Sequence, residues 1–172
     1  AISLGPISGT DQFAVFFGDL LANAYAVNAI TGALIWKTRV DDHLAAMITG
    51  APTLYSGALY VPVSSMEEAT GTPSTYECCT FRGSVVALDG ATGKQIWVYS
   101  HTPDPAAKNC CGRLSRGLAI LGDTIFLASF DARIIAIDAR NGRELWKTEP
   151  AGDPKQGYAF THAPLVVKDK VI

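Results

Sequence analysis

At 172 residues, 48% hydrophobic and 17% charged, the chain is long enough to bury a real core and has a globular composition. A formal net charge of −2 leaves no broad basic face for a phosphate backbone, which argues against nucleic-acid binding. No apolar run reaches the ~18 residues of a membrane helix; Asp19 interrupts the best stretch, "FAVFFGDLLANAYAV".

The chain opens on "AISLGPISGTDQ", which lacks a basic start, an apolar stretch and a cleavage site, so no signal peptide is visible. Either one has been removed or the chain begins inside a longer protein. Residues 1–40 read as a partial unit ending in "AVNAITGALIW" (Ala26 to Trp36). Residues 41–100 read as a second unit. Its Asp41-Asp42-His43 is a solvated turn after a strand end, and "APTLYSGALYVPV" is two strands joined by Ser-Gly. "SVVALD", "GATG" and "QIWVYS" then form strand, turn and returning strand. Residues 101–150 repeat this: "LAILGDTIFLASF" is two strands joined by Gly-Asp, followed by "RIIAID", "ARNG" and "ELWKTE". Residues 151–172 start a fourth unit with "APLVVKDKVI".

One pattern recurs in "AVNAITGALIW", "ALDGATGKQIW" and "AIDARNGRELW": Ala, an apolar residue, Asp or Asn, two variable residues, Thr or Asn, Gly, three variable residues, Trp. All three tryptophans, Trp36, Trp97 and Trp146, fall on its last position. Four short antiparallel strands per roughly 50 to 60 residues, repeated, predict an all-β fold of β-propeller blades. No helical periodicity competes. Propellers close with about four to eight blades. Two nearly whole units, half of one before and the start of one after leave strand edges bare, so a piece of a larger ring is expected rather than a ring of several copies.

The four cysteines form two adjacent pairs, Cys78-Cys79 in "YECCTFRGS" and Cys110-Cys111 in "KNCCGRLSRG". An ordinary disulfide needs Cα atoms about 4.4 to 6.8 Å apart, whereas neighbours across a trans peptide lie about 3.8 Å apart. A bridge between neighbours is therefore a strained eight-membered ring that closes almost no chain loop. Strain of that kind persists at functional sites, where the ring is a rigid, polarisable plate for a flat cofactor. Bridges between the two pairs, a metal site and reduced core cysteines are the alternatives. Zinc is disfavoured, since there is no Cys-x-x-Cys and only His43, His101 and His162 are available.

The repeat resembles the tryptophan-docking motif of the quinoprotein dehydrogenases, eight-bladed propellers that bind pyrroloquinoline quinone. About Gly18 to Tyr99, with "VDDHLAAMITGAP", "LYVPVSSMEE" and "YECCTFRGSVVALDGATG", is similar to the polyvinyl-alcohol dehydrogenase branch. About Asn109 to Ile172, with "CCGRLSRGLAI", "DARIIAIDARNGRELW" and "THAPLVVKDKVI", is similar to the methanol and ethanol dehydrogenase branch. Outer-membrane assembly propellers share the repeat, but not the repeat together with adjacent cysteines. In this family the indoles dock one blade on the next.

The resemblance implies that a Cys110-Cys111 ring stacks on the quinone, with Cys78 and Cys79 a second candidate pair. It implies that Arg116 of "CCGRLSRG" holds the cofactor's acidic groups, though Ser115 stands where many relatives have Asn; Arg82 of "CCTFRG" matches in the first copy. A guanidinium suits three carboxylates because its planar fork binds them bidentately. The family's Thr-x-Ala-Pro hydroxyl falls on Thr161 in "THAP" and on Thr49 in "TGAP". Its calcium-binding glutamate falls on Glu67, beside Glu68, and carboxylate oxygen suits that hard cation. No position matches the family's Asn calcium ligand or its Asp general base.

The function so implied is oxidation of a small or polymeric alcohol to an aldehyde or ketone in the periplasm, where disulfides persist, with electrons passed to cytochrome c. No Cys-x-x-Cys-His haem site is present, so any haem lies on another segment or protein. The alternative is a non-enzymatic periplasmic propeller scaffold resembling the outer-membrane assembly lipoprotein. With a ligand and the base missing, the 172-residue chain is expected to show little or no dye-linked alcohol oxidation when supplied with pyrroloquinoline quinone and calcium; robust turnover in that assay contradicts the assignment.

Overall fold

The computed structural model describes residues 1–67, 75–77, 80–81, 83–107 and 117–172. The cysteine pairs, Arg82, Arg116, Ser115 and Glu68 lie outside these residues. Strands β1 (Ile2–Pro6), β2 (Phe13–Gly18), β3 (Asn23–Asn28) and β4 (Leu34–Arg39) form one antiparallel sheet in chain order. In the second sheet, β5 (Ala46–Met47) and β6 (Thr53–Tyr55) both pair with β7 (Ala58–Ser65), followed by β8 (Ser84–Asp89) and β9 (Gln95–Ser100). The third is β10 (Ala119–Leu121), β11 (Thr124–Ala128), β12 (Ile134–Asp138) and β13 (Glu144–Lys147). After a 3-10 turn at Pro154–Gln156 comes the hairpin β14 (Val166–Val167) and β15 (Lys170–Val171). These are three propeller blades and the opening hairpin of a fourth.

Two features differ from the sequence reading. Residues 1–40 carry a whole four-stranded sheet rather than half of one. The strand that went unread, β1, lies at a sheet edge with Ile2 and Leu4 turned outward, and ends in a proline, which an edge tolerates. The inner strand of the second blade is split in two. Met47 pairs with Ser64 and Thr53 with Tyr60, so Ile48 to Pro52 bulge against the shorter Val61 to Val63. Gly50-Ala51-Pro52 breaks the ladder because proline offers no N–H to it.

The repeated pattern has a separate physical job at each position. Its Asp or Asn side chain caps the turn: Asn28 Oδ1 accepts from Ile30 and Thr31 N–H (both 2.9 Å), and Asp89 Oδ1 from Ala91 and Thr92 N–H (3.1 and 2.8 Å). The glycine closes it at positive φ, 70° to 74° at Gly32, Gly93 and Gly142. The leading alanine lies directly across the ladder from the tryptophan, Ala26 from Trp36, Ala87 from Trp97 and Ala136 from Trp146. Its small side chain leaves room for the indole, and a register shift just after it occurs in all three hairpins.

The indole then crosses to the next blade. Trp36 Nε1 donates to Gly90 O and Trp97 Nε1 to Ala139 O, both at 3.0 Å. Each ring lies flat against the turn glycine of that blade, where a Cβ on Gly93 or Gly142 would sit 2.6 or 2.7 Å from it. Two cores result. Leu59, Val61, Val63, Val86 and Leu88 face the first blade, while Tyr60, Val85 and Ala87 face the third. The middle sheet is buried on both faces, which is why "SVVALD" reads as a nearly unbroken apolar run.

Gly93 and Gly32 share one backbone conformation, but only Gly93 is covered by an indole. Gly32→Ala is expected to lose ~1 kcal/mol from left-handed strain alone. Gly93→Ala adds overlap with Trp36 worth about 1–3 kcal/mol more. Denaturant titration of the two variants side by side measures the difference, and equal losses would remove the docking contact from the stability of the fold.

Candidate functional site

Several sequence-predicted residues gather where the blades end on one side. Ser65 pairs with Ala46, Val63 with Ser84, and Ser84 with Ser100, so Glu67, His43, Thr80 and His101 all follow or precede strand ends on the same rim. Ile48 N–H to Asp19 O (2.9 Å) joins the first blade to this rim. Phe81 and Gly83 precede β8 here, and residues 101–107 follow β9.

The Glu67 carboxylate is 5% exposed. Its Oε1 accepts Thr80 N–H (2.9 Å), Phe81 N–H (3.1 Å) and the Tyr76 hydroxyl (3.2 Å). Burial pushes this acid up, but the bonds from Phe81, Tyr76 and Thr80 outweigh burial and hold it below the usual carboxylate range. His43 turns inward from the solvated turn read in the sequence. Its Nδ1 accepts Ala45 N–H (3.1 Å), leaving Nε2 to face Thr80 Oγ1 at 3.0 Å and Glu67 Oε1 at 3.9 Å. Asp42 stays fully solvated, 3.5 Å from Arg39. A depression of about 370 Å³ opens beside His43, lined by Asp42, Leu44, Thr75, Tyr76 and Glu77.

Calcium takes six to eight oxygen ligands. Among the described residues no three His, Cys, Asp or Glu side chains come close enough to share an ion. The one predicted ligand, Glu67, already spends Oε1 on three hydrogen-bond donors. The described residues therefore do not fit a calcium site.

The two predicted threonines are both exposed but lie apart in the fold. Thr49 follows β5, with its hydroxyl 3.4 Å from Ser64 Oγ. Thr161 precedes β14 and lines a cavity of about 350 Å³ with Ala128, Ile134, Phe160 and Ala163, a mostly apolar wall. A Cβ on Gly117 would sit 3.1 Å from the Ala163 side chain. The chain immediately after Arg116 thus lies against the Thr161-His162-Ala163-Pro164 turn.

One constellation was missed from sequence. Asp131, 1% exposed, receives His101 Nε2 (2.9 Å) and Ser129 Oγ (2.6 Å) on Oδ1, with Asp104 N–H (3.1 Å) and Arg133 Nε (3.3 Å) on Oδ2. Burial raises this carboxyl, but bonds from His101, Ser129 and Asp104 overcome it and drive it well below the ordinary range. This clasp joins the second blade to the third at the start of the segment leading to Cys110. No local pattern in the sequence pointed to it, because its partners come from two blades. In the first blade Asp19 stands at the position of Ser129 in the same turn, and is held at about 2 because bonds from Asn23, Tyr25 and Leu21 outweigh burial.

A family model described as outer membrane protein assembly factor BamB (PQQ_2) matches residues 2–172. Polyvinylalcohol dehydrogenase of Sphingopyxis sp. (strain 113P3) is 48% identical over 111 residues, 63% of this chain and 17% of that protein. Quinohemoprotein alcohol dehydrogenase ADH IIB of Pseudomonas putida is 40% identical over 153 residues, 86% of this chain and 19% of that protein. The crystal structure of quinohemoprotein alcohol dehydrogenase from Comamonas testosteroni shares the fold, with a TM-score of 0.66 at 18% identity over 92% of this chain and 29% of that one. The chain spans less than a fifth of the length of either curated relative.

The Asp131 clasp sets an acid dependence. A carboxyl whose folded value is depressed contributes stability that is complete above its unfolded value, near 3.9, and is lost as pH falls below it. Asp131→Asn is expected to lose about 2–4 kcal/mol at pH 7, from leaving buried donors unpaired. That deficit should shrink steadily below about pH 4 as the wild-type carboxyl takes up a proton. Urea titrations from pH 7 to pH 2.5 check this, and a deficit independent of pH would show that the charge is not what matters.

Proposed function

This chain belongs to the PQQ_2 family, described as outer membrane protein assembly factor BamB, and from that premise we propose that its rim forms part of a binding site for pyrroloquinoline quinone in an alcohol-oxidising propeller. The observation that carries the reading is the approach of Gly117 to Ala163, which sets the chain next to Arg116 against the Thr161 turn and its apolar cavity. Gly117 follows Arg116 directly in the chain, and its approach to the Thr161 turn supports the reading. The names of the curated relatives, a polyvinylalcohol dehydrogenase and a quinohemoprotein alcohol dehydrogenase, supply the substrate class.

Each residue would contribute a distinct force. Arg116 pairs with a cofactor carboxylate in charge-assisted, bidentate hydrogen bonds. A Cys110-Cys111 ring offers its polarisable face to the aromatic plane, and Thr161 donates or accepts one hydroxyl hydrogen bond. Ile134, Phe160 and Ala163 exclude water, which strengthens the polar contacts beside them. When bound, the quinone supplies a two-electron hydride acceptor, and a calcium ion the Lewis acid that polarises it. The ion's ligands and the general base would come from other blades, and electrons would pass to cytochrome c. An oxidising compartment such as the periplasm suits adjacent-cysteine disulfides.

The family description by itself favours a second reading, a non-enzymatic scaffold, and the docking repeats serve either role. Titration of the 172-residue chain with pyrroloquinoline quinone, followed by absorbance, separates the two. Arg116→Ala is expected to weaken binding at least about tenfold, the loss of one charge-assisted hydrogen bond, while Arg82→Ala changes little. Absence of binding, or equal binding by the Arg116 variant, would leave the scaffold.

A further inference from the structure

We propose that Glu67 is a positioning residue that fixes the Cys78-Cys79 segment at the rim, and is not a calcium ligand. One oxygen, Oε1, gathers the Tyr76 hydroxyl from one side of the cysteine pair and the Thr80 and Phe81 N–H groups from the other. In the chain only Glu77 separates Tyr76 from Cys78, and Thr80 follows Cys79 directly. Both flanks of the pair are therefore tied to a single buried atom.

The tie is anchored in rigid structure. Phe81 is 2% exposed and belongs to the core between the first two blades. His43 packs edge-on against its ring, with centroids 5.4 Å apart, and meets Thr80 Oγ1 at 3.0 Å. Glu67 sits at the end of β7, where Glu67 N–H donates to Ser65 Oγ (3.0 Å) and Met66 N–H to Ala45 O (2.8 Å). The carboxylate thus fastens Tyr76, Thr80 and Phe81 to the second blade.

The same geometry opposes a cation. Successive N–H groups from Thr80 and Phe81 form a concave cluster of positive dipole ends, the arrangement that binds anions. Here the protein's own carboxylate fills it. A calcium ion at Oε1 would face three donors aimed at the same point. The glutamate that sequence spacing matches to a metal ligand is instead an internal anion, and this role requires no quinone.

The test labels the full chain with a thiol reagent under a fixed concentration of dithiothreitol and maps modified cysteines by peptide mass. Cys110 and Cys111, which belong to a different segment of the sequence, serve as the control within the same molecule. Glu67→Gln is expected to raise the labelling rate of Cys78 and Cys79 about tenfold, the effect of weakening a local rather than a global unit. Cys110 and Cys111 should stay within about twofold, and calorimetric titration with calcium should be the same for variant and wild type. Tyr76→Phe, which removes one donor and leaves the carboxylate in place, should shift labelling in the same direction by a few-fold, and it carries the test if Glu67→Gln does not fold. Unchanged labelling, an equal rise at both pairs, or calcium binding that disappears in Glu67→Gln would each overturn the proposal.

Discussion

The structure depends on one contact: an indole of one blade laid on the turn glycine of the next, with its N–H bonded to a carbonyl three residues earlier. It is made twice within the chain, by Trp36 on Gly90 and Gly93 and by Trp97 on Ala139 and Gly142. Burying an aromatic ring of this size contributes roughly 1.5–3 kcal/mol and, through the bonded N–H, sets direction as well as affinity. Neither sheet face could be buried without it. The cross-strand alanine, the capping Asp or Asn and the positive-φ glycine all serve that one fit. Trp146 meets Phe126 of its own blade at 5.9 Å and remains 46% exposed.

Docking aligns the strand ends, and the rim so formed is organised by carboxylates. Asp19, Glu67 and Asp131 each sit at or near a strand end and each collects several hydrogen bonds. A buried carboxylate is costly unless its lone pairs are filled, and here filling them recruits the loops. Glu67 draws in Tyr76, Thr80 and Phe81, and Asp131 draws in His101 and Asp104. These lie in the segments that lead into and out of the cysteine pairs, so the rim sets their entry and exit points through charge and the docked sheets through packing.

Membership of the PQQ_2 family and identities of 40% and 48% to alcohol-oxidising relatives agree with the resemblance read from repeats and cysteine pairs. The relatives are more than five times longer than the matched stretch. The chain therefore spans only a small part of the length of those relatives.

The all-β architecture, the blade succession and the docking tryptophans were legible in the sequence because each is local: a turn needs its glycine and its capping carboxylate within a few residues. Strand β1 was missed because an outward-facing edge strand has little alternation to reveal it, and the split of β5 from β6 because pairing to one partner strand is a long-range fact. Glu67 was picked out by its spacing, but spacing says nothing of which donors surround a carboxylate. That depended on the return of Tyr76, Thr80 and Phe81 to the end of β7, as the Asp131 clasp depended on His101 arriving from another blade. Sequence alone determined which residues could make turns, strands and docks. Only tertiary structure decided which charges would meet, because hydrogen-bond partners distant in the chain become neighbours only after the sheets have stacked.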